Sequence, residues 1–211
     1  MRNLEKDAKE MAARREAILR EGFRLFSEES IESVKMTDVA KAAGIGIATL
    51  YRYYSTKPEL VLAINVDQWK KFTDTLEPPL DTTDKTAAQC FSYYLDHFIQ
   101  LFREFKPLLR FNQNFNSYVI HEKLGERQME PYIKLIEMIQ ARCGIIYEKA
   151  RTDGTVKMDM PEDKMFSYTI HVMMAVIVRY AHGLVYNAKT EETMLEELEL
   201  LKTALLNQFV A

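Results

Sequence analysis

Two cysteines, seven glycines, six prolines and one tryptophan are all that the 211 residues contain of these types, and each scarcity narrows the possibilities. Cys90 and Cys143 lie far apart with no CxxC spacing. They make neither a disulfide framework nor a metal site, and are expected as small buried hydrophobes in a reducing compartment. Breakers this sparse leave long periodic stretches of charged and apolar residues, which read as helices throughout. No segment alternates like a strand. The longest near-apolar run, Val172 to Val178, is cut by Arg179 and falls far short of the ~20 residues that span a bilayer. Met1 to Arg15 is densely charged and lacks the apolar core of a signal peptide, so a cytoplasmic protein without membrane attachment is expected.

Chemistry-bearing clusters are equally scarce. His97, His121, His171 and His182 share no ligand spacing, and no HExxH occurs, so no metal is expected. Gly44-Ile45-Gly46 follows no strand and does not read as a phosphate loop. No catalytic constellation and no cofactor are expected, and the chain reads as a non-enzyme. Net charge is −3, but residues 1–71 carry 13 Lys and Arg against 11 Asp and Glu, whereas the remainder carries 15 against 20. A slightly basic head on an acidic body suits a nucleic-acid reader, although a difference of this size is weak support.

The chain reads as about nine helices. The first runs from about Ala13 to Glu28, with Ile18, Gly22, Leu25 and Phe26 at helical spacing. Thr37 to Ala43 makes a short second helix stopped at Gly44, and Ile47 to Tyr54 an aromatic and basic third. Thr56 and Glu59 form a capping box for a fourth that continues to about Asp74. After Pro78-Pro79, segments are expected at Lys85–Phe105, Leu108–Phe115, Glu126–Arg151, Pro161–Asn187 and Glu191–Phe209.

A short helix, a glycine turn and an exposed aromatic-basic helix make a helix-turn-helix, whose second helix enters the major groove of DNA. Val39, Ala40, Ala43, Ile45 and Leu50 would brace the pair. The run Asp38-Val39-Ala40-Lys41-Ala42-Ala43-Gly44-Ile45, then Ala48-Thr49-Leu50-Tyr51-Arg52-Tyr53-Tyr54 and Lys57-Pro58-Glu59-Leu60, resembles the signature of the tetracycline-repressor (TetR) family, as does the Ile18-Leu19 to Leu25-Phe26 helix before it. The resemblance implies phosphate contacts from Tyr51 and Lys57, and a phosphate or base contact from Thr49. Ile47, Ala48, Arg52 and Tyr53 would face the bases, where an arginine can hold guanine and apolar groups can pack on thymine methyls. Tyr54 takes the family's buried aromatic position. Three residues depart from the pattern. Ser30 replaces a glycine after the first helix, and is strained if its φ is positive. Lys35 replaces a capping Ser or Thr, so that cap shifts to Thr37 or is lost. Gly46 replaces the serine that opens the recognition helix.

The resemblance implies an all-α protein with a three-helix DNA-binding domain at residues 1–58. Residues 59–211 would form a connecting helix and a domain for effector binding and dimerisation. Its partners would be an inverted-repeat operator, a small-molecule effector and a second copy joined through the last two helices. Phe91, Tyr94, Phe98, Phe111, Phe115, Met138, Met173 and Met174 are candidate walls of an apolar effector cavity, although each also reads as ordinary core. The amide-rich run Phe111 to Asn116 is a poor helix former and reads equally as pocket or exposed loop. The competing reading is a helical-bundle small-molecule-binding protein or enzyme without DNA binding. Catalysis in such a bundle calls for carboxylate or Glu-x-x-His pairs, which are absent.

Overall fold

The first amides of a helix have no partner inside it, and this sequence supplies acceptors for them. At the start of α5 (Ala87–Glu104) Thr86 Oγ1 accepts the Gln89 amide at 3.2 Å, while the Gln89 side chain accepts the Thr86 amide at 2.9 Å. The Ala87 amide donates to Asp153 at 2.7 Å, and the Ala88 amide to Thr155 Oγ1 at 3.0 Å. The backbone amides of Thr155 and Ala87 hold the Asp153 carboxyl below the usual carboxylate range. The computed structural model describes residues 4–76, 84–183 and 189–211, with the side chains of 4, 5, 142 and 143 excepted.

The described residues form nine α-helices. The others are α1 (Leu4–Glu28), α2 (Met36–Ala42), α3 (Ile47–Tyr53), α4 (Lys57–Thr75), α6 (Lys106–Glu122), α7 (Glu126–Asp153), α8 (Glu162–His182) and α9 (Glu191–Phe209). Their only extended pairing is an isolated antiparallel bridge between Val156 and Val210. None of the described helices is long and apolar enough to cross a membrane.

The chain divides into two compact units, residues 1–71 with 110–133, and residues 72–109 with 134–211. In the first, α1 packs on α2 and α2 on α3, around fully buried Ile18, Phe26, Val39, Leu50, Leu60 and Ile64. Gly22 permits the close approach of α1 and α4, since a Cβ there would stand 2.6 Å from Ile64 Cδ1. This unit is larger than the expected segment 1–58 because α6 completes its core. The Phe23 and Phe111 rings meet edge to face at 5.6 Å, and Phe115 lies 5.2 Å from Tyr132. In the second unit α5 packs on α8 and α9, and α8 on α9. Leu95, Met173, Ile177 and Leu198 are fully buried there.

Three helix ends differ from expectation. α1 begins at Leu4 rather than near Ala13, and α8 stops at His182. Residues 184–188, where α8 was expected to continue, lie outside the described residues. α6 runs through the amide-rich stretch to Glu122. Its weak propensity is overridden by tertiary bonds, because Asn114 Nδ2 donates to the Phe26 and Glu29 carbonyls, each at 2.9 Å. Those carbonyls close the end of α1, so this stretch is helix and not a loop.

Candidate nucleic-acid interface

Two backbone devices aim α3. At the end of α2, Gly44 takes φ +68°, the left-handed conformation that favours glycine. The Ile45 amide then returns to the Ala40 carbonyl at 3.0 Å, and the Gly44 amide to Lys41 at 3.2 Å. Both bonds satisfy carbonyls at the helix end. At the start of α2 the side-chain cap is lost, the second of the two outcomes expected for Lys35. Lys35 itself occupies the capping position with extended φ and ψ. Its side chain has no acceptor to offer, but the Asp38 carboxylate reaches back to the Lys35 amide at 2.8 Å. Half of a capping box is therefore kept. Ser30 does not take a positive φ; among the described non-glycine residues only Lys123 does. The strain considered for Ser30 is absent.

α3 is anchored by Leu50, fully buried, and flanked by Tyr54, 5% exposed, whose hydroxyl accepts from Arg15 Nε at 3.3 Å. Tyr54 is thus the buried aromatic that the sequence pattern implied. Ile47, Ala48, Tyr51 and Arg52 all lie on the exposed face, with Tyr51 49% and Ile47 37% exposed. Exposed apolar groups on a seven-residue helix are unusual unless something covers them. Arg52 is tied only to Thr49 Oγ1, at 3.4 Å, and no carboxylate pairs with it among the described residues. Thr49 and Tyr53 are half-buried, and the Tyr53 hydroxyl donates to the Met11 carbonyl at 3.4 Å. That bond links α3 to the first turns of α1, a role the sequence did not suggest.

Lys57 opens α4 beside this face. Its ammonium donates to the Glu32 carbonyl at 3.3 Å and lies 5.7 Å from the centre of the Tyr118 ring. Burial pushes its pKa down, against the opposing pull of Glu32, Glu122 and Asp38. An ammonium has three donors, so an N–H remains for a phosphate. The expected cap of α4 forms with a shift of one residue. Thr56 Oγ1 accepts the Glu59 amide at 3.2 Å, while Glu59 reaches back to the Ser55 amide and hydroxyl at 2.8 and 2.7 Å.

The candidate effector residues divide between the two units. Phe111 and Phe115 are core residues of the first unit, next to Phe23 and Tyr132. Met138 is 45% exposed and Met174 half-buried, while Phe98 and Met173 are buried. Phe91 and Tyr94 do line a cleft of the second unit, with Ile146 and Tyr147 of α7 and Glu162, Met165, Phe166 and Thr169 of α8. Its free interior is about 10 Å³, room for a single water. A wider groove of about 380 Å³ adjoins it, lined by Arg151, Met158, Asp159, Met160 and Pro161 and sharing Tyr147 and Glu162. Nothing in the sequence pattern singled out Tyr147, Glu162 or Thr169. Glu162 reads as a first-turn helix acid, and Thr169 interrupts no motif.

Residues 18–64 match the family model described as bacterial regulatory proteins, tetR family. An HTH-type transcriptional regulator of Staphylococcus aureus (strain MRSA252) is 30% identical over 120 residues, 53% of this chain and 63% of that protein. The match thus spans less than two thirds of that relative's length. A second HTH-type transcriptional regulator, from Staphylococcus aureus (strain USA300), is 44% identical over 57 residues, 27% of this chain and 29% of the relative. Among solved structures, a TetR family transcription regulator from Marinobacter aquaeolei VT8 has a TM-score of 0.66 at 18% identity, covering 96% of this chain and 98% of that one. At that identity the likeness is one of fold.

Proposed function

We propose that the chain, whose residues 18–64 match the tetR family model, is a DNA-binding transcriptional repressor of that family, dimeric on an inverted-repeat operator and released from it by a small molecule held in the second unit. The outward row of Ile47, Ala48, Tyr51 and Arg52 over a buried Leu50 carries the reading. Arg52 reads a base edge, Ile47 and Ala48 meet thymine methyls, and Tyr51 and Lys57 meet the phosphates. Thr49 and Tyr53 sit at the edge of the same face.

Dimerisation falls to the outer faces of α8 and α9. Leu198 and Leu205 of α9 are buried within the protomer's own unit, whereas Leu200 is 69% and Tyr168 49% exposed. Leu200 and Tyr168 therefore join the copies, while Leu198 and Leu205 serve the protomer core. A two-fold dimer presents its recognition helices about one DNA turn apart, ~34–36 Å.

The test is binding of the full chain to the DNA upstream of its own gene. Arg52→Ala should cost ~1–3 kcal/mol per half-site and relax base preference at one operator position. Lys57→Ala should weaken all sequences alike and reduce the salt slope by about 1. Unchanged affinity in both variants would show that α3 is not the reading helix, whereas no binding of that DNA by the parent protein would favour a helical-bundle protein that binds small molecules without DNA.

A further inference from the structure

The cleft between α5, α7 and α8 combines three features that ordinary core packing does not require. Its walls are aromatic and sulfur-containing, with Phe91 and Tyr94 stacked at 6.4 Å between ring centres and Met165 among its linings. The hydroxyl of Thr169 lines it from a residue only 1% exposed and has no hydrogen-bond partner. The Glu162 carboxylate stands at the boundary between the cleft and the outer groove. One Glu162 oxygen lies 3.3 Å from where a Cβ on Gly144 of α7 would be, so it rests on α7. Glu162 forms no hydrogen bond or ion pair among the described residues.

A first-turn acid also favours the positive end of its own helix, but Asp163 already serves α8 in that way. The field at this boundary is negative. Burial raises the pKa of the Tyr147 hydroxyl, and the charges of Glu162, Asp159 and Asp163 raise it further. Arg151, on the groove side, is paired with Glu148 at 3.1 Å. An unpartnered carboxylate beside aromatic rings is the chemistry that holds an ammonium ion. Thr169 and Glu162 are seven residues apart on one helix. They therefore lie on one face, ~10.5 Å apart along the axis at ~1.5 Å per residue.

Resting on the reading that the second unit takes the effector, we propose that this cleft binds an aryl-alkylammonium ion whose far end carries a hydroxyl. Glu162 holds the ammonium, Tyr94 and Phe166 flank the ring, and Thr169 bonds the hydroxyl. The cleft is nearly closed without its ligand. Opening it moves the aromatic lining as well as its adaptable side chains, Met165 and, in the outer groove, Met158 and Met160, and the Tyr147 hydroxyl, which donates to the Met160 carbonyl at 3.0 Å.

Titration calorimetry on the full chain tests this with tyramine, phenethylamine (which lacks the hydroxyl) and 3-(4-hydroxyphenyl)propanoate (which exchanges the ammonium for a carboxylate). Tyramine should bind roughly tenfold tighter than phenethylamine, and the propanoate should give no heat. Thr169→Val should make the two amines equal, and Glu162→Gln should weaken both by at least about tenfold. Far-ultraviolet circular dichroism and melting of each variant establish that it folds. Equal binding of the propanoate, an unchanged tyramine affinity in Glu162→Gln, or no binding by any of the three would overturn the site. A hydroxyl at Thr169 that merely held one water would appear as Thr169→Val stabilising the protein without changing the ratio of the two amines. Operator affinity measured alongside separates the two readings. Tyramine binding that leaves operator affinity unchanged would refute the effector role of the second unit but not the site. Operator release by an unrelated molecule, with no tyramine binding, would do the reverse.

Discussion

The two units bury their polar groups differently, and the difference parallels the reading and sensing roles proposed for them. In the first unit several polar side chains are spent on backbone geometry: Asp38 on the Lys35 amide, Thr56 and Glu59 at the start of α4, Asn114 on the carbonyls that end α1. Such bonds fix a short helix in one pose, as a base-reading helix requires. In the second unit the helix ends are just as well satisfied, at Thr86 and Thr190. Its interior, however, contains a hydroxyl with no partner facing a cleft of water size, with a carboxylate at the mouth that pairs with no cation among the described residues. A buried polar group without a partner costs stability, and a ligand that supplies the partner recovers it.

The largest effect that sharpens this contrast lies in the two cores. Leu50 in α3 and Leu95 in α5 are both fully buried, and Leu→Ala at either should cost ~2–5 kcal/mol. The variants should part company in function. Leu50→Ala frees the anchor of α3 and should lower operator affinity at temperatures where the protein is still folded, while Leu95→Ala should leave that affinity near the parent value. Denaturant unfolding paired with a DNA titration reads both quantities. An equal loss of operator affinity would mean that α3 is not held independently in the first unit.

A smaller effect tests whether an unpartnered polar group always signals a ligand. Asn65 of α4 is fully buried, and neither end of its amide has a partner, but unlike Thr169 it lines neither the cleft nor its groove. It reads as an uncompensated cost within the first unit. Asn65→Leu, apolar and of the same branched shape though larger, should then raise stability by ~1–3 kcal/mol where the site admits the added volume. A loss of similar size would reveal a partner in solution and make Asn65 a second polar anchor.

The sequence was most legible where one residue type answers one backbone need. The helix-turn-helix could be read because Gly44, Leu50 and Tyr54 occupy positions that admit few alternatives. The helix count could be read because caps and breakers are local. Three-dimensional grouping was not local. Phe111 and Phe115 carry the same apolar pattern as Phe91 and Tyr94, yet the first pair completes the core over α1 while the second lines the cleft. Periodicity tells which face of a helix is buried, not which partner covers it. Glu162 and Thr169 stayed hidden for the same reason. A first-turn acid and a mid-helix threonine gain meaning only when the opposite wall is known.

Backbone conformation supplies a matched pair of still smaller tests. Gly44 at φ +68° and Lys123 at φ +52° both occupy the left-handed region, one with the residue suited to it and one without. Gly44→Ala should cost ~1–2 kcal/mol, though a Cβ there would touch nothing within 4 Å, because the strain lies in φ. Lys123→Gly should return ~1 kcal/mol. Thermal or denaturant midpoints measure both, and signs opposite to these would mean that the turn after α2 or after α6 differs in solution.

The smallest expected change is at the start of the reading helix. Gly46 caps α3 with its backbone alone: its carbonyl accepts the Thr49 and Leu50 amides at 2.9 and 3.1 Å, with no side chain to take another donor. Its φ of −71° and ψ of 147° are ordinary for any residue, and a Cβ there would meet nothing within 4 Å. Serine therefore fits without strain, and its hydroxyl can accept an otherwise unpaired first-turn amide. Restricting the unfolded chain adds a further gain, so Gly46→Ser should stabilise by ~0.5–1 kcal/mol, read as a raised denaturant midpoint at constant slope. Operator affinity should change little, because the exposed row from Ile47 to Arg52 keeps its direction. A stability gain accompanied by a clear loss of DNA binding would show that the bare glycine cap admits close approach of a phosphate, and would move the edge of the DNA contact one residue toward the turn.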